Sequence, residues 1–141
     1  MASPHIIELD DLLAHIAEDT PSGADPRASA SPNSTYQTLK RERSSARAAE
    51  RKSVHDGDSQ EADHHWREVL NLAPKILKEE AKDLEVASWY TEALVRKQGF
   101  QGLRDAFALI RGLVEQYWEN LYPTPDEDGL ETRVAPLSGL N

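Results

Sequence analysis

No cysteine occurs among the 141 residues, which excludes disulfides, thiolate metal sites and thiol nucleophiles together. No run approaches the ~18 uninterrupted apolar residues that a membrane-spanning helix needs. The first residues, Met1-Ala2-Ser3-Pro4-His5, lack the basic and apolar regions of a signal peptide, so the cytoplasm is the expected location. Positive charge is scarce. Lys and Arg number 16 against 25 Asp and Glu, a net charge of −9 that disfavours nucleic acid as a general partner. Equally absent are the G-x-S-x-G elbow, the Walker loop, the H-E-x-x-H pair and the dinucleotide glycine pattern. Gly99-x-x-Gly102 is too sparse to cradle phosphate. The one acid–base candidate pair, Asp126 with Asp128, falls in a hydrated turn where nothing raises a carboxyl pKa. No enzyme and no cofactor is expected.

What is there reads as one soluble all-α domain over 1–141, at 38% hydrophobic and 29% charged residues. The stretch from Lys82 to Gly129 organises it. From about Asp83 to Gln98, the apolar residues Leu84, Val86, Ala87, Trp89, Tyr90, Ala93, Leu94 and Val95 cover most of a helix. Only a strip with Glu85, Ser88, Glu92 and Arg96 is left for water, as suits a helix inside a bundle. From about Leu103 to Leu121, Ala106, Phe107, Ile110, Leu113, Val114, Tyr117 and Trp118 recur at steps of three and four. Arg104, Asp105, Arg111, Glu115 and Glu119 form the opposite face. The turn Gly99-Phe100-Gln101-Gly102 makes the pair an antiparallel hairpin. A compact bundle of about five to six helices is predicted around it.

An ordered set of short motifs carries a family resemblance. Lys82-Asp83-Leu84, Ala87-x-Trp89, Gly99-Phe100-x-Gly102-Leu103, Trp118-Glu119-x-Leu121-Tyr122-Pro123 and Asp126-x-Asp128-Gly129 follow one another in this order. With Pro21-x-Gly23-x-Asp25 upstream and Arg133 and Leu140-Asn141 downstream, the set resembles the ImpA-related N-terminal domain of TssA-type proteins of bacterial type VI secretion systems. Glu85 and Tyr90 depart from it, standing where a basic residue and a leucine are expected. The resemblance implies a non-enzymatic assembly domain that helps build the baseplate and the tail tube and sheath. Its implied partners are other baseplate, tube or sheath proteins, and the full-length protein is expected to form a homo-oligomer through regions after this domain. Two alternatives stay open: a related accessory or tail-cap protein with the same domain, and a generic helical ligand- or metal-binding module.

The other segments are read from the residues. Leu9, Leu12, Leu13, Ile16 and Ala17 predict a short first helix over 8–20, followed by a loop over 24–33. A basic helix over 34–53 has a thin apolar stripe of Tyr36, Leu39, Ala46 and Ala49. Its Lys40, Arg43, Arg47 and Arg51 align on one side, either as a solvated face paired with acids elsewhere or as a docking strip for an acidic protein. Nucleic acid is a third reading, but no aromatics interleave as a stacking platform requires. Taken as exposed, the strip predicts that Arg43→Glu with Arg47→Glu leaves folding nearly intact. Asp126, Glu127 and Asp128 would be an opposed acidic patch. They do not make a calcium loop, because Thr124 and Ala135 fall where the first and last carboxylate ligands belong. His55, His64 and His65 have no metal-ligand spacing, so no metal is expected. A third core helix over 61–78 carries Trp66, Val69, Leu70, Ala73, Ile76 and Leu77, and Pro74 is expected to bend it. Trp66 and Trp118 are read as core, and Trp89 as core or surface anchor. Leu130 to Asn141 forms a short helix or a linker.

Overall fold

The computed structural model describes residues 6–125, 129 and 131–138. Asp126, Glu127, Asp128, Leu140 and Asn141 lie outside the described residues. Among those described there are five α-helices and no strand: α1 (Leu9–Leu13), α2 (Thr35–Asp56), α3 (Gln60–Glu79), α4 (Leu84–Tyr117) and α5 (Glu131–Ser138). A 3₁₀ turn at Pro26–Ala28 interrupts the loop before α2.

The long α4 is folded back on itself. A straight helix of its 34 residues would extend ~51 Å. Instead the chain just before it pairs with the chain just after it. Leu84 N donates to Tyr122 O at 2.8 Å, and Tyr122 N donates to Lys82 O at 3.0 Å. The reversal is made at Gly99, whose φ of 58° is the one non-helical backbone conformation within α4. The expected hairpin is therefore present, but its turn is shorter than the four residues predicted, and Phe100 already belongs to the second limb. Gly102 lets the limbs close up: a Cβ there would lie 2.3 Å from Leu94 O.

That closeness rotates the second limb. Its buried residues are Gly102, Asp105, Ala106, Leu109, Gly112, Leu113 and Tyr117, a face turned by about one residue, ~100°, from the one the apolar spacing predicted. Asp105 is fully buried, whereas Phe107 is 52% exposed and Phe100 90% exposed. Glycines set the inner face because they admit neighbouring chain: a Cβ on Gly112 would stand 2.6 Å from the Leu13 side chain of α1. Trp118, read as core, is only half-buried, packed against the core under Arg133. Trp66 and Trp89 are both buried, Trp89 stacked on Tyr36 with ring centroids 5.8 Å apart.

Two helices end earlier than predicted, for the same reason. α1 stops at Leu13 because side chains take its last carbonyls: Lys82 Nζ donates to Leu12 O at 2.6 Å, and Tyr117 donates to Leu13 O. α4 stops at Tyr117, and Arg133 donates to Trp118 O at 2.7 Å. Carbonyls at a helix end need partners, and here distant side chains supply them. The cap of α2 is local, with Ser34 Oγ accepting from Gln37 N at 3.2 Å and Gly57 in the left-handed region. Tyr36, Leu39, Ala46 and Ala49 are its buried stripe, as the spacing predicts. α3 runs through Pro74 to Glu79.

Candidate functional site

Buried charged side chains form two clusters, with Asp105 and Arg133 standing apart from them. The first is built on Lys82-Asp83, the junction between α3 and α4, where both residues are fully buried. Asp83 caps α4, accepting from Val86 N at 3.0 Å. The same carboxylate receives a two-pronged bond from Arg27, at 2.7 and 3.1 Å. Burial disfavours the Arg27 charge, but the hydrogen bonds and charge of Asp83 outweigh it and hold the guanidinium firmly protonated. Glu85 completes the group, accepting from Arg27 at 3.0 Å and from the Tyr36 hydroxyl at 2.5 Å. This explains the acid at a position where a basic residue was expected. Tyr90, the other departure, is buried.

Among the described residues no carboxylate meets Lys82. Its ammonium donates to Leu12 O and to Leu77 O at 2.7 Å, with the Tyr117 ring centroid 5.6 Å away. Burial pushes its pKa down to about 8, from 10.5. Between these values the unfolded chain holds the proton that the folded chain has released, so stability rises with pH. The window closes near 10, where unfolded tyrosines begin to ionise. Burial pushes Tyr36 up and Tyr90 up to about 12, so above that pH stability falls. Urea midpoints between pH 8 and 10 are expected to rise by up to ~2 kcal/mol in stability. In Lys82→Met that slope should vanish. An unchanged slope in the variant would mean that another group titrates.

The second cluster is built on Glu92, 7% exposed and within the strip predicted to face water. Arg43 donates to it twice, at 2.9 and 3.0 Å, and Arg47 once, at 2.8 Å. Ser88 in the same strip is buried and donates to Leu84 O. The strip is thus covered by α2, whose inner arginines reach across to it. Of the four aligned basic residues, Arg43 and Arg47 are half-buried ion-pair partners, whereas Lys40 and Arg51 are exposed. The expectation that reversing Arg43 and Arg47 leaves folding intact is corrected by this geometry.

The motif residues hold the frame. Leu84 is fully buried, Leu103 half-buried, Pro123 O accepts from Arg133 at 3.1 Å, and Gly129 has a φ of 87°. Arg133 is 3% exposed and lies 4.8 Å over the Trp118 ring, so it ties α5 to the end of α4. Arg27 and Glu92 were not singled out from sequence. Their signal is chemical: a lone arginine in a loop and a lone acid on an apolar helix. His65 meets Glu42 at 2.5 Å, His55 and His64 are exposed, and among the described residues no three potential metal ligands converge. A cleft of about 300 Å³ between α3 and α4 is floored by Trp66, Leu70 and Ala93, with Arg96 lying 4.3 Å over the Trp66 ring. No buried side-chain nitrogen or oxygen among the described residues lacks a partner.

Among the described residues, the buried charges Lys82, Asp83, Glu92 and Arg133 each join one segment of this all-α bundle to another. The chain belongs to the family of the ImpA N-terminal region of the type VI secretion system, whose model matches residues 13–141. It is 31% identical over 138 residues to the type VI secretion system component TssA1 of Pseudomonas aeruginosa, covering 96% of this chain and 38% of that protein. A solved structure of the N-terminal domain of TssA from Burkholderia cenocepacia, including the conserved ImpA_N region, is similar with a TM-score of 0.72 and 28% identity. That match covers 99% of this chain and 50% of the other. The chain is therefore an N-terminal domain of the type found in TssA components. No helix among the described residues is long and apolar enough to cross a membrane.

Proposed function

We propose that this chain is a non-enzymatic assembly domain that docks other proteins of a type VI secretion apparatus and helps build its baseplate, tail tube and sheath from the cytoplasmic side. The observation that carries this is the internal use of charge. Lys82, Asp83, Glu92 and Arg133 are buried and each is bonded to another part of the chain. Groups so engaged hold helices in place, which leaves the outer surface for function. Lys40 and Arg51 are the exposed members of the basic strip available for electrostatic steering. The Asp126, Glu127 and Asp128 patch is proposed as its acidic counterpart. Homo-oligomerisation of the whole protein is assigned to regions beyond this domain. Affinity capture from native bacterial extract, with this chain as bait, is expected to enrich apparatus components at low salt and to lose them as salt screens the contact. Recovery no better than from a heat-denatured bait would defeat the proposal.

A further inference from the structure

Away from the Lys82-Asp83 junction, α3 and the first limb of α4 enclose the cleft of about 300 Å³. Each helix lines it with one face. Asp63, Trp66, Arg67 and Leu70 fall at i, i+3, i+4 and i+7 of α3, and Ala93, Arg96 and Lys97 at i, i+3 and i+4 of α4. Trp66 and Ala93 are buried at its base, while half-buried Leu70 offers apolar surface. One wall is fixed. Arg96 lies 4.3 Å over the Trp66 ring, donating to Glu50 at 2.5 and 3.0 Å and to Glu92 O at 2.9 Å. Glu50 also accepts from Trp66 Nε1 at 2.9 Å, so this pair neutralises itself and contributes shape, not charge. Arg67 and Lys97 differ. Both are exposed at the lip, one from each helix, and neither meets a carboxylate among the described residues. Asp63, also exposed, is the one acid among the lining residues. On a chain of net charge −9, the cleft thus keeps a local excess of positive charge over an apolar base.

We infer that this cleft binds a short acidic segment of a partner protein. One apolar side chain of the segment seats against Leu70 and the aliphatic stems of Arg67 and Lys97, and flanking carboxylates pair with the two cations. Size limits the anchor: about 300 Å³ stands at the lower bound of ligand sites and holds a side chain or two, not a cofactor. Charge sets the flanks. The two cations come from different helices, so a segment that meets both needs an acid on each side of its anchor. Nucleic acid and anionic lipid fit less well, because a chain this negative as a whole repels an extended polyanion. The inference rests on the docking role proposed above and names a site for it and the chemistry of the segment received.

The test is selection of short peptides from a random displayed library on this chain, with affinities then compared between the wild type and Arg67→Gln/Lys97→Gln. Glutamine keeps the helix propensity and both positions are exposed, so the variant should melt as the wild type does. Enriched peptides are expected to carry Asp or Glu on both sides of one apolar residue. Their affinity should fall by about tenfold or more in the variant and weaken with salt. It should rise in Asp63→Asn, which removes the opposing acid. Serine in place of the peptide's apolar residue should also cost about tenfold. No enrichment, neutral or basic peptides, equal binding to the double variant, or indifference to that serine would overturn the inference. So would two other results that depend on Arg67 and Lys97: concentration-dependent dimerisation in sedimentation, which assigns the cleft to a second copy, or binding to phosphatidylserine vesicles, which assigns it to lipid. If wild type and double variant capture apparatus proteins equally from extract, only this inference fails. If the wild type captures none, the docking role itself fails, and this inference with it.

Discussion

Arg43→Glu combined with Arg47→Glu is expected to unfold the domain or bring it close to unfolding. Glu92, 7% exposed, is held by three hydrogen bonds from these two guanidinium groups. Reversal would leave a buried carboxylate with no cation and set two more carboxylates beside it. Removing the partner of a buried charge costs about 3–5 kcal/mol, and repulsion adds to that. A domain of this size is stable by only ~5–15 kcal/mol. A melting temperature lower by ~10 °C or more is the expected reading. The triple variant that also carries Glu92→Arg restores opposite charges and should recover part of the loss. If the double variant melts with the wild type, the three side chains are not joined in solution.

Asp83→Ala should also destabilise the domain, by a different route. The alanine removes the cap of α4, about 1 kcal/mol, and takes from Arg27 the one fully buried carboxylate among its three partners, leaving Asp25 and Glu85, a further loss of ~1.5–3 kcal/mol. Asp83→Asn separates the two effects. Its amide oxygen can still accept from Val86 N, so it keeps the cap while losing the charge. Chemical denaturation is expected to rank wild type above asparagine and asparagine above alanine. Equal stability of the asparagine variant and the wild type would reduce the Arg27 contact to ordinary surface pairing.

The parts of the fold that follow from spacing were legible in the sequence, and the parts that follow from close approach were not. Tyr36, Leu39, Ala46 and Ala49 mark the inner side of α2 because their steps match a helical turn, and they are its buried residues. Gly99 announces the reversal of α4 because its left-handed backbone suits glycine. The same reasoning misplaced the second limb. Hydropathy weighs Phe107 above Gly112, but Gly112 lies against Leu13 and Phe107 faces outward. It also left Glu92 in water, since an isolated acid on an apolar helix signals neither its burial nor the arginines that reach it from α2. Lys82 and Asp83 were visible as a motif, and Asp83 as a helix cap. The burial of Lys82 depends on Leu12, far away in sequence, which no local pattern reports.

The junction at Lys82-Asp83 also has a kinetic meaning. Its contacts span long loops: 56 residues to Arg27, 70 to Leu12, and 99 between Gly23 and Tyr122 nearby. The α4 hairpin and the α2–α3 pair close over far shorter stretches of chain. Loop closure costs entropy before any contact rewards it, so short-range elements form first and the junction seals last. Contacts made after the folding barrier act on the reverse rate. Substitutions at Lys82, Asp83 or Arg27 should therefore hasten unfolding while hardly slowing folding, which makes this buried junction the latch that sets the lifetime of the native state.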